Sequence, residues 1–196
     1  AAADPDEREL LLSVGCAVEN LRIAAERFGF DPRVAYHDDR GAAGATVTLV
    51  PADGGETAGR STPLFDAITD RRTSHAPFDG RMPDAATLER LRAAVAGSDV
   101  GLRLVDDPDR KRAVAELQAE ADRLLMDDPD YRKELGRWIG RGTLGTSWLL
   151  ARVGQAVVTH LDLGDREAAK NSALVESAPV VAVLTTDADE PAARID

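Results

Sequence analysis

With 196 residues, 43% of them hydrophobic, the chain can bury a core and is too apolar to be disordered, so one domain or one and a half is expected. A formal charge of −11 leaves no broad basic face for nucleic acid or an anionic membrane, and only local anion binding stays open. A single cysteine, Cys16, excludes an internal disulfide framework and a cysteine-based zinc site, and no apolar run approaches the ~20 residues of a membrane helix, so a soluble, cytoplasmic setting is expected.

The first element is announced by ADPDERELLLSVGCAVENLRIAAERFGF. Asp4 suits an N-cap, Pro5 the first turn and Glu7 a capping box. Leu10, Leu11, Val14, Val18, Leu21, Ala25 and Phe28 recur at helical spacing, which predicts a core helix over 5–28. Cys16 lies inside this run, where a small buried hydrophobe is the expected role. Strands are predicted at 33–37 (RVAYH) and 45–51 (ATVTLVP), the second alternating as a half-buried strand should, with a turn at 41–44 and a linker at 52–61.

Thr62 and Pro63 open a second helix, TPLFDAITDRR, that runs into the segment RRTSHAPF. Asp84 caps DAATLERLRAAVA, a strand VGLRLVD spans 100–106, and the pairs Asp107–Pro108 and Asp128–Pro129 start two further helices, since Asp satisfies free N–H groups and Pro supplies the helical φ. Helices near 146–158 and 165–176 and the apolar strand APVVAVLTT at 178–186 complete the chain. Helices dominate and strands are few and scattered, so the class is α+β.

Several motifs fail on context. Gly140, Gly142 and Gly145 satisfy G-x-G-x-x-G, but the amphipathic YRKELGRWI precedes them where a dinucleotide fingerprint needs a strand, so they read as a helix-to-helix connection. His37, His75 and His160 have no metal-ligand spacing, and Ser147 and Ser172 lack a nucleophile elbow. RRTSHAPF is different. Arg71, Arg72 and His75 stand beside the hydroxyls of Thr73 and Ser74, and an arginine fork with neighbouring hydroxyls can hold a phosphate through charge-assisted bonds of about 1.5–3 kcal/mol each. The same cations at the end of a helix also complement its dipole, so a structural reading stands beside the binding one.

LFDAITDRRTSHAPFDGRMP resembles the helix-to-loop motif of the FMN-dependent nitroreductase superfamily, a short helix followed by Arg-Arg-Ser/Thr, a basic residue and Phe. The match is nearest to the long, internally duplicated Acg-type branch. DPDERELLLSVGCAVENLRIAAERFGF is similar to the central dimerisation helix of that branch, DDPDYRKELGRWI to a later helix, and SAPVVAVLTT to a strand of its core sheet.

The resemblance implies a nitroreductase-like fold, with helices packed around a small mixed or antiparallel sheet. Residues 1–60 would end a first half and 61–196 start a second. It implies that Arg71, Arg72 and Thr73 contact FMN, with His75 where the family has a second phosphate-binding Arg or Lys; imidazole is only partly charged near neutral pH. The family's Asn-x-Gln-Pro-Trp segment and its late helix at the flavin N5 do not occur, so the chain reads as an internal fragment.

The implied function is hydride transfer from NAD(P)H through FMN to a nitro- or quinone-like small aromatic acceptor. The flavin does the chemistry and no side chain need act as acid or base. The alternatives are a flavin-sequestering protein without turnover and a ligand-free helical interaction module. The implied partners are FMN, NAD(P)H and the acceptor, with a homodimer or an intramolecular pseudo-dimer, and neither nucleic acid nor membrane.

Overall fold

A computed structural model describes residues 2–39, 42–52, 62–141, 148–160, 163–187 and 194–195. Among these residues the chain is α+β, with seven helices and two two-stranded antiparallel sheets. It divides into two compact units, one of Asp4–Ser74 with Ala188–Asp196, the other of Ala1–Ala3 with His75–Asp187.

The first unit is built on α1 (Arg8–Arg27), which packs on the hairpin of β1 (Phe30–Asp39) and β2 (Ala42–Pro51) and on α2 (Thr62–Asp70). The helix starts later than expected because Glu7 takes a left-handed conformation at φ 55° and serves as N-cap without a side-chain bond. Asp4 still caps the helix from further back. Its carboxylate accepts from the N–H groups of Glu9 and Leu10 at 3.2 and 2.9 Å, which hold its pKa below the usual carboxylate range.

The buried stripe of α1 is narrower than its sequence suggests. Leu11, Val18 and Ala25 are buried at seven-residue spacing, whereas Leu10 is 54% and Leu21 44% exposed and Phe28 is also exposed. Cys16 is exposed, which corrects the expected core role: it lies two residues from Val18 on a helix, hence round the side from the stripe. At the far end of α1 the Phe28 ring meets Phe65 of α2 edge-on, with centroids 5.5 Å apart, which ties the two helices together.

Gly29, at φ 81°, turns the chain out of α1 and accepts from the Ala52 N–H at 2.9 Å, so the hairpin closes against the helix end. The register runs from Phe30 opposite Pro51 to Asp39 opposite Ala42, longer at both strands than predicted. The expected turn at 41–44 is therefore largely strand from Ala42 onward. The predicted linker falls mostly at 53–61, outside the described residues.

The second unit holds α3 (Ala85–Ala94), β3 (Val100–Val105), α4 (Pro108–Asp127), α5 (Pro129–Gly140), α6 (Trp148–His160), α7 (Gly164–Ser177) and β4 (Val181–Thr186). The Asp-based starts form as expected: Asp84, Asp107 and Asp128 accept from the N–H groups of Thr87, Arg110 and Asp130 at 2.7, 2.9 and 2.8 Å. β3 and β4 pair antiparallel, Val100 opposite Thr186 through Val105 opposite Val181.

Helix α4 lies on α7 across small residues, with Ala115 and Ala168 fully buried. Helix α5 lies on α6, where Gly136 and Gly140 leave the space occupied by Thr159 and Gln155. Gly140 ends α5 and Trp148 begins α6, so G-x-G-x-x-G stands between two helices; its residues 142–147 lie outside the described set.

Two glycines give a test of this packing. A Cβ on Gly15 of α1 would run into the backbone carbonyl of Ile195, which cannot swing aside, whereas one on Gly140 would meet the end of the flexible Gln155 side chain. We expect Gly15→Ala to cost about 1–3 kcal/mol as an overpacked contact, despite a helix-propensity gain of up to ~1 kcal/mol. Gly140→Ala should cost clearly less. Thermal denaturation of the two variants checks the order, and equal stability would remove the close approach at Gly15.

Candidate functional site

Helix α2 is short, and Phe65 and Ile68, three residues apart, give its half-buried side. It ends at Asp70 rather than running through Arg72, and the Arg72 side chain folds back over that end. Its Nη1 donates to the carbonyls of Thr69, Asp70 and Arg71 at 3.1, 3.4 and 3.2 Å, covering acceptors that the last turn leaves unpaired. Arg71 does something else: its Nη1 donates to Thr73 Oγ1 at 3.4 Å, placing guanidinium and hydroxyl side by side.

Arg71, Arg72, Thr73 and His75 are all exposed. Among the described residues neither guanidinium is ion-paired with a carboxylate, although six other arginines are. The first three residues stand together in one unit, while His75 opens the other. Further on, the Phe78 N–H donates to Ser177 Oγ at 3.0 Å, which anchors that end of the segment to the last residue of α7. Asp79 is held by the N–H and guanidinium of Arg81, at 3.1 and 2.6 Å, which keep its carboxyl below the usual range.

No local pattern in the chain announces a second feature, a cavity of about 300 Å³ among α4, α5, α6 and α7. Leu125, Met126, Leu135, Ile139 and Val158 provide apolar walls, and Tyr131, Asp122, Glu167, Lys170 and Asn171 the polar ones. Asp122 accepts from Asn171 Nδ2 and from Gln118 Nε2, each at 3.0 Å, and Lys170 pairs with Glu167 at 3.6 Å. Burial, then the charges of Asp122, Glu167 and Glu134, push the Tyr131 hydroxyl above its ordinary pKa. The residues come from separate helices, and only α5's lone tyrosine could have drawn attention to the place.

Among the described residues no group of three or more His, Cys, Asp or Glu could hold a metal ion, and no helix is long and apolar enough to cross a membrane.

No family model matches the chain, and no solved structure does. Curated proteins do. An uncharacterized protein of Mycobacterium tuberculosis is 32% identical over 139 residues, 70% of this chain and 40% of the relative. A protein of the same species that carries the name "Putative NAD(P)H nitroreductase" is 31% identical over 144 residues, 71% of this chain and 40% of the relative. The chain thus spans about 40% of the length of the relatives it matches. This distant, partial similarity supports a place in the nitroreductase superfamily.

Tyr131 yields a titration test. Its neutral form fits the folded state, so the stability it contributes is fully present below the ordinary tyrosine pKa of about 10 and is lost as pH rises through the raised folded value. Ultraviolet titration of tyrosinate should show a late-ionising tyrosine that disappears in Tyr131→Phe. An unchanged titration curve in the variant would place Tyr131 in water.

Proposed function

We propose that the chain contributes to an FMN-dependent oxidoreductase of nitroreductase type, with Arg71, Arg72 and Thr73 at the flavin phosphate and His75 beside them. The observation that carries this reading is the exposed Arg71–Thr73 pair at the end of α2. The similarity to the protein named as an NAD(P)H nitroreductase supports it.

The donor set fits the phosphate end of FMN. A guanidinium fork and a hydroxyl, with no carboxylate ion-paired to the guanidinium among the described residues, are what a phosphate dianion needs, and each bond to the dianion would be charge-assisted. Arg72 holds the C-terminal turn of α2 with one nitrogen and keeps its remaining donors for the ligand. Bound FMN would supply the hydride chemistry between NAD(P)H and a nitro- or quinone-like aromatic acceptor. The side chains bind and orient the cofactor; none is assigned a proton.

On this reading residues 1–60 derive from one nitroreductase-like half and 61–196 from the next, on the Acg-type plan. The exposed Leu10, Leu12 and Leu21 of α1 support pairing through that helix, in a homodimer or an intramolecular pseudo-dimer.

Titration with FMN tests the site. Arg71→Ala with Arg72→Ala should weaken binding at least tenfold, on the order of 1.4 kcal/mol. Unchanged affinity would reject these residues as the phosphate site. Absorbance with NADPH added then separates the functions: a yellow protein that bleaches is an oxidoreductase, a yellow one that does not is a flavin-sequestering protein, and a colourless one binds no flavin.

A further inference from the structure

The cavity among α4, α5, α6 and α7 has two unlike walls. Leu135, Ile139 and Val158 line it from α5 and α6, all apolar. Glu167, Lys170 and Asn171 line it from α7, all polar, and Asp122 of α4 joins them by accepting from Asn171 Nδ2 at 3.0 Å. Met126 is buried and Leu125 exposed, so the space runs from the interior to the surface.

The polar wall carries unbalanced charge. Among its described residues Asp122 and Glu167 are acidic and Lys170 is the one base. Lys170 lies 3.6 Å from Glu167, whereas the half-buried Asp122 receives the amide groups of Asn171 and Gln118 and is ion-paired with no cation among the described residues. Neutral donors bind a carboxylate without balancing its charge, and partial burial removes water that would otherwise do so. Tyr131 stands in the same field: burial, then the charges of Asp122, Glu167 and Glu134, keep its hydroxyl protonated, with oxygen lone pairs to offer a donor.

We propose that the cavity binds a small primary amine built on a single apolar ring, its ammonium among Asp122, Glu167 and the Tyr131 hydroxyl and its ring against Leu135, Ile139 and Val158. The three N–H donors of an ammonium match that set of acceptors. An anionic ligand would meet two carboxylates and a lysine already engaged, and a neutral one would leave Asp122 unbalanced. Volume sets the size: a cavity of about 150 Å³ holds benzene, so about 300 Å³ takes one ring with a short chain and the ammonium. None of Arg71, Arg72, Thr73 and His75 is among the described lining residues, so amine binding needs no flavin.

Titration of the chain, followed by nuclear magnetic resonance at the Ile139 and Val158 methyl groups, tests the site with probes of one shape and different charge: 2-phenylethylamine, 2-phenylethanol and phenylacetate. The amine should bind with a Kd of about 1 mM or below, roughly tenfold or more tighter than the alcohol, with phenylacetate weakest. Asp122→Asn should weaken the amine roughly tenfold and leave the alcohol unchanged. Lys170→Met removes the competing cation and should tighten the amine severalfold, a gain that a misfolded variant would not give. Val158→Phe, read at Ile139, should fill the space and weaken amine and alcohol alike. The proposal is overturned if the amine shifts neither methyl group, if the alcohol binds as tightly as the amine, or if phenylacetate binds and loses affinity in Lys170→Met, which makes the cavity an anion site. Amine binding that is unchanged in Val158→Phe also overturns it, by placing the amine on the acidic surface.

Discussion

Helices in the second unit approach one another through alanine and glycine, and the rest of that unit depends on this constraint. Ala115 and Ala168 are completely buried where α4 meets α7, and the space beside Gly136 and Gly140 is filled by Thr159 and Gln155 of α6. A close seam leaves little room for large side chains between the helices. Among the described residues no large side chain is fully buried, and Leu117, Leu124 and Val153 point outward. Small residues bury little apolar area each, so polar links such as Asn171 to Asp122 help fix the register of the seam. The cavity beside Tyr131 is lined by residues of α4, α5, α6 and α7, the same four helices that form those seams.

Caps and strand pairs were legible in the sequence because their causes are local. Asp84, Asp107 and Asp128 each reach an N–H two or three residues ahead, and after Asp107 and Asp128 a proline at the next position removes alternative conformations, so those helix starts follow from neighbouring residues. The hairpin was legible in type but not in extent. Alternation marks the middle of a strand, whereas the ladder out to Asp39 and Ala42 depends on the partner strand.

Burial was less legible. Leu10, Leu11, Val14 and Val18 share helical spacing, but which of them meet other residues is set by the hairpin and α2, and those cover only the stripe through Leu11, Val18 and Ala25. Cys16 shows the same limit: its apolar neighbours in sequence lie on other sides of the helix. The cavity was invisible for a stronger reason. Asp122, Tyr131, Glu167 and Asn171 come from three helices whose packing is decided by residues elsewhere.

The two arginines of the candidate site looked equivalent in the sequence and are not. Arg72 folds back over the end of α2, onto the carbonyls of Thr69 and Asp70 and that of Arg71 just beyond it; Arg71 is turned toward Thr73 and is exposed. In a chain of net charge −11 a phosphate dianion is repelled at long range, and salt screens that repulsion beyond about 8–10 Å. Phosphate binding at the proposed site would then rest on short contacts, where a planar guanidinium beside a hydroxyl is worth more than diffuse positive charge. Arg72 contributes by holding the helix end on which Arg71 and Thr73 are presented. On the proposed reading the two adjacent arginines at the end of α2 divide the work, one over the helix end and one beside the hydroxyl.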